Sequence, residues 1–74
     1  MPVVDLCSEV TGTVWRVVAT EGQLLAEDEP VVIVESMKME VPVCAPEDCR
    51  LLSVTVSATD MVREGDVVAR LEVD

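Results

Sequence analysis

Apolar positions along this chain run in short blocks of strand length, and no window of eleven residues keeps a helical period. Residues 14–18, 31–34, 40–44, 51–56 and 67–73 are each rich in valine and set apart by turn formers or charges, which predicts five strands. Leu24-Leu25 and Met61-Val62 are long enough only for bridging strands. Valine suits this reading, because a side chain branched at Cβ fits a pleated surface better than a helix.

The pattern also repeats. Sliding the second half onto the first by 37 positions superposes Val17 on Val54, Glu27 on Glu64, Val31 on Val68 and Glu35 on Glu72, with Val14 on Leu51 and Leu24 on Met61 as apolar matches. Each half then reads as strand, loop, short strand, acidic turn, strand. A duplicated set of short strands in so small a chain predicts an all-β fold, a compact sandwich or flattened barrel with quasi-twofold symmetry, since stacking or closing the sheet hides edges that would otherwise aggregate. Residues 34–41 become a hairpin at one end, and the two termini are expected at the opposite end. Nothing of low complexity interrupts residues 1–74, which form one domain.

Around the midpoint between Met37 and Lys38 the sequence is nearly mirror-symmetric. Ser36 faces Met39, Glu35 faces Glu40, Val34 faces Val41, and Val32 faces Val43. That is the signature of a tight two-residue hairpin loop with Lys38 in the turn. The turn nevertheless lacks the Asn-Gly or Asp-Gly such loops favour, it sets Glu35 against Glu40 across the ladder, and it exposes two methionines. A segment that breaks local rules of stability in three ways is a candidate functional site. Lys38 is the sole lysine of the chain, so one side-chain amine is available for acylation. A solvated cation that relieves the repulsion of two glutamates is the plain alternative for a lysine in a turn.

Composition narrows the field further. One tryptophan and no phenylalanine or tyrosine leave the core to aliphatic residues. Fifteen acidic against five basic residues give a formal charge of −10, which repels phosphate backbones and anionic lipid and argues against nucleic acid or membrane as partners. No apolar run approaches the roughly 20 residues of a membrane span. The acidic start Met1-Pro2-Val3-Val4-Asp5 lacks a basic signal region, so a cytoplasmic location is expected. Cys7, Cys44 and Cys49 have no histidine beside them and no metal or redox spacing, which reads as buried free thiols, with a Cys44–Cys49 disulfide or a reactive thiol as the alternatives. No set of residues suggests an acid, base or nucleophile, and the chain is expected not to be an enzyme.

Glu35-Ser36-Met37-Lys38-Met39-Glu40 resembles the E-[AS]-M-K-M-E signature of biotinyl domains in the biotin/lipoyl attachment family, where the lysine is joined to biotin by an amide bond. The resemblance covers nearly the whole chain. Gly12-Thr13-Val14-Trp15 looks like the family's first core strand, Glu21-Gly22 like its first loop, Ala45-Pro46 like the segment after the hairpin, and Arg63-Glu64-Gly65-Asp66-Val67 like the second-half turn. It implies a barrel-sandwich hybrid fold. Asp28 and Thr59 stand where that family commonly has glycine, and Cys49 replaces the glycine of a turn.

What the resemblance implies about function follows from the lysine. A biotin protein ligase would acylate Lys38, with Glu35, Ser36, Met37, Met39 and Glu40 recognised by the ligase or the carboxylase. A biotin carboxylase would then load a carboxyl group, and a carboxyltransferase would deliver it to an acceptor such as an acyl-CoA. The hard chemistry belongs to the cofactor and its enzymes, while the domain supplies placement and effective concentration. Met37 stands where lipoyl domains of the same fold usually carry aspartate, which favours biotin. Two alternatives are a lipoyl carrier, with lipoate on Lys38, for a 2-oxoacid dehydrogenase or glycine-cleavage type system, and an unmodified structural or docking module.

Overall fold

The structure is a computed structural model and describes residues 2–74. Its elements are β1 (Val3–Cys7), β2 (Gly12–Val17), β3 (Leu24–Leu25), β4 (Pro30–Ser36), β5 (Met39–Cys44), β6 (Cys49–Val54), β7 (Met61–Val62) and β8 (Val67–Glu72). They form two four-stranded sheets in the orders β1-β8-β6-β3 and β5-β4-β2-β7, with every pairing antiparallel. This is the expected sandwich of two matched sets of strands.

The 37-residue offset that is faint in the sequence organises the whole molecule. It carries β2 onto β6, β3 onto β7, β4 onto β8 and, read from the second half back to the first, β5 onto β1. One sheet order therefore maps onto the other. Backbone bonds come in matched pairs. The Gly22 N–H donates to the Leu51 carbonyl at 2.7 Å, and the Thr59 N–H donates to the Val14 carbonyl at 2.7 Å. The same holds for Asp28 to Ala45 and Gly65 to Ser8, each at 2.8 Å. The register slips between Val14 and Arg16 opposite β4, and between Leu51 and Ser53 opposite β8, so even the bulges correspond.

The core obeys the same operation. Val14, Val31, Val32, Val34, Leu51, Val68 and Leu71 are wholly buried, and each has a buried counterpart: Val14 with Leu51, Val31 with Val68, Val32 with Ala69, and Val34 with Leu71. Every long strand thus turns aliphatic side chains inward, and removing that area from water is the main force holding the sheets together. Ser8 is the one buried polar residue among those described, and its hydroxyl donates to the Val10 carbonyl at 2.6 Å.

The structure corrects the sequence reading at several points. Strand β1 is not among the strands the valine blocks predict, yet Val3, Val4, Asp5, Leu6 and Cys7 pair with β8. Trp15 lies on a bulge and is exposed, with Arg16 stacked 5.3 Å from its ring centre, in keeping with a core left to aliphatic residues. All three cysteines are free, but only Cys49 is buried, while Cys7 and Cys44 are half-buried. Asp28 and Thr59 do take the left-handed backbone, at φ of 71° and 78°. Cys49 does not, since it belongs to β6, so the absence of glycine there costs nothing in backbone strain.

The two ends of the chain meet. Val3 pairs with Glu72, and the Val73 N–H donates to the Pro2 carbonyl at 2.9 Å. The 37-residue operation takes Glu35 to Glu72, so the termini occupy the place equivalent to the hairpin. Among the described residues no helix is long and apolar enough to cross a membrane.

Candidate functional site

Strands β4 and β5 pair in the register Val32 to Val43, Val34 to Val41, Glu35 to Glu40 and Ser36 to Met39. Only Met37 and Lys38 remain between them, with φ of 52° and 66°. Positive φ at both central residues is the type I′ turn, whose twist matches that of the strands it joins. Each such residue with a Cβ costs about 1 kcal/mol or more relative to glycine. The sequence thus carries a backbone cost at the tip that glycine or asparagine would lessen.

Those side chains stand free. Met37 is 92 % exposed and Met39 67 %, and Lys38, Glu35 and Glu40 are exposed as well. Neither methionine is packing the hairpin. Among the described residues the Lys38 amine has no ion pair or hydrogen bond, whereas Arg70 pairs with Asp5 at 3.5 Å. Glu35 and Glu40 are opposed across the ladder, and with the lysine they make a tip of two anions and one cation.

The hairpin is held from beneath. Ser36, half-buried, donates its hydroxyl to the Thr11 carbonyl at 2.8 Å, and the Thr11 hydroxyl accepts the Glu64 N–H at 3.0 Å. A bridge therefore runs from the base of the hairpin to the turn between β7 and β8. Beside it Gly12 packs flat against the backbone of Glu35, where a Cβ would collide with the Glu35 carbonyl and touch Val34. Here the need for glycine is one of close approach.

Sequence reasoning places Glu35, Ser36, Met37, Lys38, Met39 and Glu40 at one hairpin, and the structure brings all six together. It does not foresee Thr11, Gly12, Thr13 and Met61 as their neighbours. Met61 pairs with Thr13 on β2, and Thr13 pairs with Glu35 on β4, so a residue 23 positions after Lys38 joins the same sheet row as the hairpin glutamates. The available signal is the repeat, which sets Met61 on Leu24 as matching edge residues.

A cleft of about 580 Å³ lies away from the tip, at the twofold-related end, between Leu24, Leu25, Cys49, Arg50 and Glu72. A smaller hollow of about 360 Å³ is lined by Cys7, Asp28 and Cys44. Burial, then the charge of Asp28 and Glu9, pushes the Cys44 thiol up. Burial, then Glu47, Asp48 and Glu29, does the same to Cys49. Both thiols are held in the unreactive protonated form. No cluster of three or more metal-ligating side chains occurs among the described residues. What the tip presents is an exposed primary amine, a group that an activated carboxyl group can acylate.

Comparison with known proteins bears on which carboxyl group that is. Residues 1–71 match the family model for biotin and lipoyl attachment domains, described as biotin-requiring enzyme. The biotinylated protein TB7.3 homolog of Mycobacterium leprae is 37 % identical over 65 residues, which is 88 % of this chain and 92 % of that protein. The biotin/lipoyl attachment protein of Bacillus subtilis is 35 % identical over 63 residues, covering 85 % of this chain and 86 % of its own. Among solved structures, the Kluyveromyces lactis urea carboxylase superposes with a TM-score of 0.91 at 34 % identity, over 96 % of this chain but only 6 % of that enzyme.

Proposed function

Because the chain belongs to the biotin/lipoyl attachment family of biotin-requiring proteins, we propose that Lys38 carries biotin in amide linkage and that the domain serves as the mobile carrier of a biotin-dependent carboxylase. The single observation that carries this reading is the sole lysine of the chain, exposed at the tip of a strained two-residue turn. The donor set suits the group. A carboxyl group activated by the ligase, as an acyl adenylate made with ATP, would be attacked by the free Lys38 amine, forming the amide and releasing AMP and a proton, and this amine has no competing partner among the described residues.

Bound biotin supplies the ureido nitrogen on which a carboxyl group is held, and the enzymes that load and unload it are a biotin carboxylase and a carboxyltransferase. The protein's own contribution is positional. The type I′ turn directs the lysine stem away from the sandwich, and a flexible stem on a rigid hairpin gives reach without loss to bulk water. Ser36 serves by anchoring the hairpin to Thr11, while Met37 and Met39 offer polarizable, adaptable contact to the enzymes that grip the tip. Glu35 and Glu40 frame the amine with negative charge, which favours partners with basic clefts and speeds their encounter. The family carries and does not catalyse. An acyl-CoA carboxylase in the cytoplasm is the setting proposed here.

Lipoate is the second reading, favoured by the dual name of the Bacillus subtilis relative. Mass spectrometry of the endogenous protein decides between them. The peptide containing Lys38 is expected to bear one biotinyl group and to bind streptavidin. A lipoyl mass on that peptide, or an unmodified lysine in cells that biotinylate their other carriers, overturns the assignment.

A further inference from the structure

An enzyme that acylates one lysine must recognise more than a two-residue loop. Specific protein contacts cover roughly 800 Å² on each partner, far beyond the tip of a hairpin. The question is in which direction contact extends from Lys38. Beyond β5 the sheet ends at an edge where Glu40 and Pro42 are exposed, and proline within an edge strand blocks addition of another strand. Across β4 the sheet continues instead through Thr13 to Met61.

Met61, Thr13, Glu35 and Glu40 are directly opposed on four neighbouring strands, so their side chains share one face. That face is the outer one, because Val14, Val34 and Val62, next along each strand, are buried. At roughly 4.8 Å between strands, Met61 lies about 10 Å from Glu35. The Thr13 hydroxyl lies 3.6 Å from the Met61 sulfur, setting the thioether over the sheet. Met61 is still 75 % exposed on the face of the paired glutamates, whereas Met37 stands exposed in the turn and Met39, next to Glu40 along β5, is exposed toward the opposite face. An exposed apolar side chain on a two-residue strand contributes little to the fold.

We propose that Met61 is a specificity contact for the enzyme that acylates Lys38. That enzyme would seat the Met61 thioether in an apolar depression and set cationic groups against Glu35 and Glu40. The proposal rests on the carrier reading, and it extends the recognition surface into the second half of the chain, where no local motif marks it.

The fold supplies its own control. Leu24 is the twofold counterpart of Met61, 68 % exposed on the equivalent edge strand β3, but at the end that carries the termini. Met61→Ser and Leu24→Ser remove similar apolar area from similar positions. With the biotin protein ligase that modifies the wild-type chain, Met61→Ser is expected to raise KM for the apo-protein by about tenfold, as loss of one interface anchor does, with kcat nearly unchanged. Leu24→Ser is expected to behave as wild type, and Met61→Leu to recover most of the loss. In a second measurement, excess ligase should protect the Met61 sulfur from peroxide oxidation. Equal KM values for the two serine variants, or an unprotected Met61 in the complex, overturn the proposal while wild-type modification leaves the carrier reading standing. Failure of the wild-type chain to be acylated overturns both.

Discussion

The hairpin end and the end that carries the termini are built on the same frame, and their differences separate what the fold requires from what the function requires. At both ends two strands pair antiparallel, β4 with β5 and β8 with β1, over buried Val34 at one end and buried Leu71 at the other. At one end the pair is closed by Met37 and Lys38, and at the other it stays open between Pro2 and Val73. The two left-handed residues at the closed end, Met37 and Lys38, have no glycine or asparagine among them, so the turn is not the one that stability alone favours. That departure fits the proposal that the tip serves to present an amine.

The sharpest break of this comparison is chemical. Lys38→Arg is expected to abolish modification entirely and to leave the thermal unfolding midpoint unchanged, since the arginine stands as free at the tip as the lysine did. In the same background Asp74→Lys, which puts an amine at the open end, should remain unmodified. Intact mass after co-expression with the ligase checks both, and acylation at residue 74 would show that the enzyme reads exposure alone.

A second difference lies under the hairpin. Gly12 and Cys49 are counterparts, but only Gly12 is pressed against a strand backbone. Gly12→Ala should cost about 2 to 3 kcal/mol, the range of overpacking against backbone that cannot retreat. Cys49→Ala should cost about 1 kcal/mol from lost burial of a small side chain. Urea denaturation measures both, and a Gly12→Ala variant as stable as wild type would mean that the hairpin base is free to shift.

Strain allows a finer test. Thr59 and Met37 both have positive φ, the first in a loop away from the amine and the second beside it. Thr59→Gly should stabilise the protein by about 1 kcal/mol, because a β-branched residue fits that backbone worst. Met37→Asn should stabilise it by a similar amount, since asparagine tolerates the left-handed region. Only Met37→Asn is expected to slow acylation of Lys38. Equal rates for the two variants would assign the strain at the tip to chance.

Much of this was legible in the sequence, for reasons that are local. Valine blocks mark strands β2, β4, β5, β6 and β8 because alternate burial leaves its trace on neighbouring residues. The mirror symmetry about Met37 and Lys38 matches the hairpin register residue for residue, since a two-residue loop fixes which positions face each other. What escaped depends on contacts distant along the chain. Strand β1 acquires its partner from β8, sixty or more residues away, and its traces in the sequence are only Val4 falling on Val41, Leu6 on Val43 and Cys7 on Cys44 under the repeat. Met61 becomes part of the hairpin face through three successive pairings, none visible in its own neighbourhood.

The smallest expected effect concerns the thiol that replaces glycine at the open end. Cys49 is buried, and its burial, with the negative charge of Glu47, Asp48 and Glu29 around it, raises its pKa above the ordinary 9.0. A raised pKa means that the folded state holds the proton more tightly than the unfolded chain does. The resulting contribution to stability is complete below pH 9.0 and disappears as pH rises through the higher folded value. Cys49→Ala removes this linkage along with the thiol. The stability advantage of wild type over Cys49→Ala in urea denaturation should therefore be constant at neutral pH and shrink once the pH passes 9.0. Iodoacetamide at a pH of about 8 should correspondingly alkylate Cys49 far more slowly in the folded protein than in urea. An advantage that grows with pH would mean that the thiolate is stabilised at this position, and the open end would then be a reactive site in its own right instead of the plain half of the duplication.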